Sequence, residues 1–343
     1  MNKTPTSLFD FHIPEQLIAL YPEKERDKCR LLVIEKDKRK ISETMFIDIK
    51  NYLKEGDLLV FNNTKVDNSR FFAINPETNR RHEVVIISYE NDGLYRAITN
   101  RFKRIKKERL YLENNRNLYI DIIEKIPPYY IIIKLSSPEI LDYSELPLPP
   151  YILKKRKYEK DLDEKYYQTV YGKYSGSKAS PTAGLHFTEN LLKELKNIGV
   201  ETANVQLFVS LGTFEPIKTE FIEDHKIHEE EYNIFEEEAE KINRAISEKR
   251  RIIAVGTTSM RVLESSFKDG KIIAGKEKTS LYITPGYKFK VTDKIITNFH
   301  TPRSTLLVLV SSILGLQFTK EVYNYAIEKR FRFYSYGDAS LII

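Results

Sequence analysis

The sequence predicts an α/β domain interrupted by a small all-β unit, and three observations carry that reading. From Arg70 to Leu146, short β-favouring runs recur between turn signals and no helical period appears. On both sides of that stretch, strands alternate with helical periods. The stretch closes at Leu146-Pro147-Leu148-Pro149-Pro150, a stiff connector. The resulting division is a discontinuous α/β domain, residues 1–69 with 147–343, holding an inserted β-barrel or sandwich, residues 70–146.

Taken in order, Leu17 to Leu20 is a short helix-like stretch, and Tyr21 to Asp27 is a charged loop before an apolar strand, Leu31 to Ile34. Gly56-Asp57 turns into a buried strand, Leu58 to Phe61, closed by Asn62-Asn63-Thr64-Lys65. Inside the insert the strand candidates are Val84 to Ser88, Tyr95 to Thr99, Leu110 to Leu112, Leu118 to Ile123 and Tyr129 to Leu135. Turn signals such as Asn91-Asp92-Gly93 and Asn114-Asn115 separate them. Beyond the connector, Ser180-Pro181-Thr182-Ala183-Gly184-Leu185-His186-Phe187 crowds small residues before one histidine. Thr188 is a candidate N-cap for a helix to Ile198 whose apolar face is Leu191, Leu192, Leu195 and Ile198. Glu201 to Val209 is a strand, broken by Leu211-Gly212-Thr213-Phe214-Glu215-Pro216. Phe235, Ala239, Ile242 and Ile246 mark a helical face, and Ile252 to Val255 a buried strand. Strand Ile295 to Asn298 follows, then a helix starting at Ser304, a late helix around Val322 to Ile327, and a final strand within Phe331 to Ile343.

Composition narrows the function classes. With 343 residues, 41% hydrophobic and 30% charged, the chain suits a soluble globular protein with a sizeable core. Cys29 is the only cysteine, which excludes an internal disulfide and fits a reducing cytoplasm, with Cys29 read as a small core residue. Met1 to Phe11 is unlike a signal peptide, and the longest apolar run, Leu306 to Leu316, is broken and too short to span a bilayer. The formal charge of +6 permits a nucleic-acid partner without requiring one.

Two basic clusters stand out. Arg101 to Arg109 holds six basic residues and one acid, with Phe102 and Ile105 interleaved, and Lys154 to Lys157 is a run of four. Both read equally as solvated loops or as tracks for a phosphate backbone. On the second reading Arg101, Lys103, Arg104, Lys106, Lys107, Lys154, Lys155 and Arg156 are RNA contacts.

Histidines are sparse, six in all, and His186, His225, His228 and His300 fall in loops that end strands or start helices. Strand-end loops of one α/β domain tend to meet at one crevice, so these four point to acid–base chemistry near neutral pH. Gly256-Thr257-Thr258-Ser259 follows a buried strand and opens a helix, an anion-receptive N-terminus without the Gly-x-x-x-x-Gly-Lys of a P-loop. Arg261 is read in that helix's first turn, where a cation opposes the dipole and so suggests an anion nearby. His225-x-x-His228 can bind zinc on a helix, but His-Glu-x-x-His and a second cysteine are missing, so no metal is expected. A serine hydrolase lacks its Gly-x-Ser-x-Gly elbow, and a dinucleotide fold lacks its Gly-x-Gly-x-x-Gly.

The chain resembles the S-adenosylmethionine:tRNA ribosyltransferase-isomerase family of queuosine biosynthesis nearly end to end. The resemblance runs through Phe9-Asp10-Phe11, Gly56 to Asn62, Leu148-Pro149-Pro150-Tyr151-Ile152, Tyr167 to Tyr171, Pro181 to Thr188 and Leu211 to Phe214. It continues through His225-Lys226-x-His228, Gly256 to Ser259, Pro285-Gly286-Tyr287, Thr297 to His300, Ser304 to Leu307 and Ser335 to Ala339. It implies a three-layer α/β domain carrying an inserted β-barrel. It also implies transfer of the ribosyl unit of S-adenosylmethionine to 7-aminomethyl-7-deazaguanine at the tRNA wobble position, giving epoxyqueuosine with loss of adenine and methionine. S-adenosylmethionine is then a consumed co-substrate, no separate cofactor is expected, and the protein is expected to be a cytoplasmic monomer.

On that reading a base removes a C5′ proton acidified by the sulfonium, with His186 and His228 as candidates. Asp224, His225 or His300 would assist departing adenine. Gly256, Thr257, Thr258 and Ser259 with Arg261 would receive the methionine carboxylate, and Asp338 a ribose hydroxyl or amine. Thr182, Gly184 and Asn298 complete the substrate contacts. A tRNA-binding homologue without catalysis is the rival reading. The chain departs from the family pattern at Asn63-Thr64-Lys65 for Asp-Thr-Arg, Phe208-Val209-Ser210 for His-Val-Gly, Glu215 for arginine and Thr301 for leucine.

Overall fold

The computed structural model describes residues 3–210 and 216–343. The chain divides into two compact units, Met1–Lys65 with Pro149–Arg156 and Tyr166–Ile343, and Val66–Leu148 with Lys157–Lys165. Residues 66–69 and 157–165 group with the second unit through bonds of their own. The Ser69 and Arg70 amides both donate to the Glu145 carbonyl at 3.0 Å, and Asn68 Nδ2 donates to Glu164 at 3.2 Å.

In chain order the strands of the main sheet and the barrel are β1 (Arg30–Glu35), β2 (Lys40–Met45), β3 (Leu58–Asn62), β4 (Arg70–Ile74), β5 (Arg81–Tyr89), β6 (Leu94–Thr99), β7 (Arg109–Leu112) and β8 (Tyr119–Ile126). They continue with β9 (Tyr130–Leu135), β10 (Glu201–Leu207), β11 (Glu230–Ile234), β12 (Ile252–Val255), β13 (Gly275–Thr279), β14 (Ile295–Asn298) and β15 (Ala339–Ile342). The main helices are α1 (Glu189–Asn197), α2 (Glu236–Ser247), α3 (Gly256–Ser266), α4 (Thr305–Leu314) and α5 (Leu316–Glu328).

The larger unit is built on a nine-stranded sheet in the order β13-β11-β10-β3-β12-β14-β15-β1-β2. Its central strands β3, β12 and β14 are buried at every position and β12 is apolar throughout, as strands covered on both faces tend to be. Leu58 and Val60 of β3 pack into one core with Ala239 and Ile242 of α2 and Val308 of α4. Leu59 and Phe61 of the same strand pack into the other with Leu191 and Leu195 of α1 and Phe46. This makes three layers, the α/β architecture expected from the sequence. Helix α1 begins as its sequence requires, with Thr188 Oγ1 accepting from the Leu191 amide at 3.1 Å, and α4 likewise, with Ser304 Oγ accepting from Leu307 at 3.2 Å. Among the described residues, no single helix is long and apolar enough to cross a membrane.

The smaller unit contains a closed barrel, β9-β6-β5-β4-β7-β8, filled by alternate residues such as Phe71, Ala73, Val84, Ile86, Ile131 and Ile133. The barrel expected from the sequence is therefore present, with a sixth strand, β4, that the sequence reading did not resolve.

Candidate active site

Strand direction assembles the site. β10, β3, β12 and β14 are parallel, so their carboxyl ends share one edge of the sheet. β15 runs antiparallel to β14 and parallel to β1, which brings the amino ends of β15 and β1 to that same edge. Asn298 at the end of β14 therefore pairs with Ala339, and Asp338 and Cys29 lie immediately before the two reversed strands.

The 3₁₀ turn Thr182–His186 caps this edge. Gly184 is needed there, since a Cβ on it would stand 1.7 Å from the Tyr171 hydroxyl. His186 is 5% exposed and its ring centroid lies 5.1 Å from that of Phe46. Its Nδ1 is 3.1 Å from Cys29 Sγ, and its Nε2 has no hydrogen-bond partner. Burial is the main force lowering its pKa to about 4, Asn298 acts in the opposite sense, and Arg26 and Arg332 add to the lowering. Burial pushes the Cys29 thiol well up. The pair is thus a neutral thiol beside a neutral imidazole, and the thiol donates S–H to Nδ1. The proton of the ring then resides on Nε2. The neighbouring amide agrees with this tautomer. Asn298 Nδ2 donates to the Tyr334 carbonyl at 3.0 Å, which leaves its unpartnered Oδ1 as an acceptor.

A cavity of about 420 Å³ opens along the edge, lined by Thr182, Asn298, His300, Thr301, Tyr151 and Lys154, among others. That volume suits a small-molecule ligand. At Ser335 it adjoins the recess of His186, which also holds Arg26, Cys29, Tyr166 and Tyr336. At Leu306 it adjoins a second recess holding His225, His228, Glu230, Arg261 and Tyr282. The four histidines expected in one crevice are therefore distributed. His300 faces the main cavity, His186 one flanking recess, and His225 with His228 the other.

Other residues take positions that differ from the sequence reading. Arg261 is in the second turn of α3, because the helix already starts at Gly256. Its guanidinium is ion-paired with buried Glu230 and donates through Nε to the Leu281 carbonyl at 3.1 Å, with Nη2 left unpartnered. Ser259 spends its hydroxyl on the Val255 carbonyl at 2.9 Å, whereas Thr258 Oγ1 has no partner. Thr257, buried beside them, completes a helix start with no side-chain cap. Asp224 is exposed and paired with Lys3 at 2.6 Å, away from the cavity linings. Asp338 holds the edge together, its two carboxylate oxygens accepting from the Arg30 amide at 2.9 Å and the Arg332 amide at 2.7 Å. Burial raises its pKa. His300 bonds Thr297 Oγ1 through Nε2 at 2.9 Å, and burial lowers its pKa to about 3.

In the larger unit, Lys155 pairs with Glu15 at 3.0 Å, and Arg156 donates to the Leu20 carbonyl at 2.9 Å while covering the Tyr21 ring. Arg156 is tied into the fold, the Lys155 pair is a surface one, and Lys154 and Lys155 both stand at the cavity wall. Cys29, Tyr151 and Tyr334 were not singled out by sequence reasoning, although Pro149-Pro150-Tyr151 was a visible signal. Of the departures from the family pattern, Asn63 is buried with Oδ1 unpartnered, Thr301 lines the cavity, and the Phe208 ring lies where Gly176 leaves room for it. Leu211 to Glu215 lie outside the described residues.

The two buried neutral histidines make stability fall in acid. Both have folded pKa values below the ordinary 6.5, so the unfolded chain binds the extra protons. Their contribution is complete above about pH 6.5 and is lost as pH falls through 5 toward 4, by about 3 kcal/mol for His186. Urea midpoints measured from pH 7.5 to 4.5 are expected to drop over this window, and to drop less in His300→Gln. A flat profile would place both rings in contact with water.

Fold and site together define an α/β enzyme with a strand-edge cavity lined by His300 and flanked by the recesses of His186 and of His225 with His228. A family described as queuosine biosynthesis protein matches residues 6–342. The chain is 43% identical over 339 residues to the S-adenosylmethionine:tRNA ribosyltransferase-isomerase of Sulfurihydrogenibium sp., covering 98% of each. It is 42% identical over 339 residues to the Aquifex aeolicus protein of the same name, again covering 98% of each. It is also similar to the crystal structure of S-adenosylmethionine tRNA ribosyltransferase from Thermotoga maritima, with a TM-score of 0.57 and 31% identity over 98% of this chain and 100% of that one. The chain belongs to the queuosine biosynthesis protein family, and it is a transferase and isomerase of tRNA modification.

Proposed function

We propose that the enzyme transfers and isomerises the ribosyl moiety of S-adenosylmethionine onto 7-aminomethyl-7-deazaguanine at the tRNA wobble position. The products are epoxyqueuosine-tRNA, adenine and methionine. The observation that carries this reading is the cavity of about 420 Å³ at the strand edge, with separate histidine recesses on its two sides. S-adenosylmethionine is consumed as co-substrate, so the protein supplies placement and proton transfer. We assign it to the cytoplasm as a monomer.

The two recesses suit two different tasks. The sulfonium acidifies the C5′ hydrogens, and His228, beside Glu230 and Arg261, is the base that takes one. His186 is a poor base, because burial makes its protonated form costly. As a neutral ring with its proton on Nε2, it is suited to donate a hydrogen bond to adenine as the glycosidic bond breaks. The α3 amides from Gly256 to Ser259 face the methionine carboxylate, with Thr258 Oγ1 available as a further donor. Asn298 Oδ1 and Thr182 contact the substrate, Lys154 stands at the mouth for a phosphate, and the primary amine of the modified base closes the new C–N bond.

The test is a reaction with S-adenosylmethionine and an anticodon stem-loop carrying the aminomethyl base. Adenine and methionine are expected in equal amounts, matched to a heavier nucleoside by mass spectrometry. A stem-loop that binds and is never converted would instead identify a tRNA-binding homologue without catalysis.

A further inference from the structure

The chain's excess positive charge is concentrated at one end of the barrel. Three segments meet there: the β4–β5 hairpin, the β6–β7 loop, and the β8–β9 hairpin whose Tyr130 pairs with Ile98 of β6. Residues 75–81, 100–109 and 124–130 carry nine cationic side chains against three carboxylates, an excess of six, which equals the formal charge of the whole chain. This end lies opposite the end at which β4 begins.

Two of the nine cations are neutralised, Arg81 by Glu113 and Arg109 by Asp121, as Arg70 and Arg96 elsewhere in the barrel are by Glu83 and Glu90. Lys103, Arg104, Lys106 and Lys107 are exposed, and none of the four has an ion-pair partner among the described residues. Their loop is nonetheless fixed. Ile105 is 1% exposed inside the barrel core, Phe102 packs against that core, and the Ile105 amide bonds the Arg101 carbonyl at 3.1 Å. Holding four unpaired cations on an anchored loop costs self-repulsion that a polyanion relieves. Aromatic rings stand beside them. Tyr129 and Tyr130 have ring centroids 4.5 Å apart, and Lys125 Nζ lies 4.9 Å from the Phe102 ring. Both tyrosines are half-exposed.

We propose that this end of the barrel binds single-stranded RNA, with Lys103, Arg104, Lys106 and Lys107 on phosphates and the Tyr129–Tyr130 pair stacking on an unpaired base. Cations on an anchored loop beside half-exposed rings are the combination that binds unpaired nucleic acid. The inference rests on the reading of tRNA as substrate and names the surface that engages it. A duplex presents phosphates and no free base face, so only the first half of the contact serves it.

The experiment is a salt titration of binding by the full chain to the anticodon stem-loop and to a fully paired hairpin stem. Replacing all four loop cations by alanine is expected to reduce the slope of log K against log salt by about 2 to 3 for the stem-loop. Tyr129→Ala and Tyr130→Ala are expected to weaken stem-loop binding by about 5- to 100-fold with the slope unchanged, and Tyr→Phe at either position to restore it. The paired stem should lose only the cation-dependent part. Wild-type binding that all these variants preserve would overturn this inference and leave the proposed reaction standing. No binding of RNA by the wild type would overturn both. Binding to phosphatidylserine vesicles in preference to RNA, lost in the same variants, would also contradict it. Unchanged thermal unfolding of each variant guards against a folding defect.

Discussion

Replacing His186 by alanine is expected to lower kcat by about 10²- to 10⁴-fold while leaving the KM for S-adenosylmethionine far less affected. The ring's free Nε2 adjoins the cavity through the recess at Ser335, and the rest of the ring is held by Cys29 and Phe46. A donor aimed at the departing adenine strengthens as charge develops there, so its loss lowers kcat more than it weakens binding. Two conservative changes separate its role from that of His228. Glutamine at position 186 can donate from near the Nε2 position and cannot take up a proton, so His186→Gln is expected to keep substantially more rate than His186→Ala. His228→Gln is expected to be as slow as His228→Ala, because a base cannot be replaced by an amide. Equal loss in both variants at position 186, with normal loss tolerance at His228, would exchange the two roles. A folded His186→Ala enzyme with turnover near wild type would remove the residue from the chemistry.

The second large effect is structural. Removing the carboxylate of Glu230 by alanine is expected to destabilise the protein by about 3–5 kcal/mol, because it leaves the Arg261 guanidinium buried without its ion-pair partner. Glu230 is 4% exposed, and its other oxygen accepts from the Ser210 amide at 2.9 Å, so a backbone donor is orphaned as well. Thermal unfolding should show a drop of several degrees. The paired change Glu230→Leu with Arg261→Met should recover part of it, since it removes both buried charges together. If the pair instead lay in contact with water, Glu230→Ala would cost less than about 1 kcal/mol. The outcome bears on the site, because a neutralised Arg261 supports the recess of His225 and His228, whereas a free one would act as an anion contact.

Much of the fold was legible because local patterns and tertiary needs agree. Glu189–Asn197 has a threonine cap and one apolar stripe, and Ile252–Val255 is a short apolar run between breakers, so each forms where its pattern places it. β4 was missed for a physical reason. Its outward Phe72 breaks the alternation, and it is tolerated because the guanidiniums of Arg70 and Arg81 cover the ring at 4.4 and 3.4 Å. The candidate site was legible in its loops and not in its pairings. Which histidine meets which recess depends on β1 and β15 running against the four central parallel strands, and no local pattern encodes strand direction. Cys29 is the core residue the sequence suggests, packed with Leu31 and Phe46, and only the fold reveals that its sulfur also faces His186 Nδ1 across 157 residues of sequence. Arg261 misled because its helix begins at Gly256, on a positive φ of 91° that only glycine adopts readily, one turn before the position at which Arg261 would oppose the dipole.

The most direct measurement follows the sugar. The wild-type enzyme is given S-adenosylmethionine labelled with ¹³C at all carbons of its ribose, together with the anticodon stem-loop carrying the aminomethyl base, and the digested wobble nucleoside is weighed. The expected result is a nucleoside that has gained the complete labelled five-carbon unit, with unlabelled adenine and unlabelled methionine released beside it. A nucleoside that gains only a methyl group, or label that stays entirely in small molecules while the stem-loop is bound, would contradict ribosyl transfer as the reaction of this site.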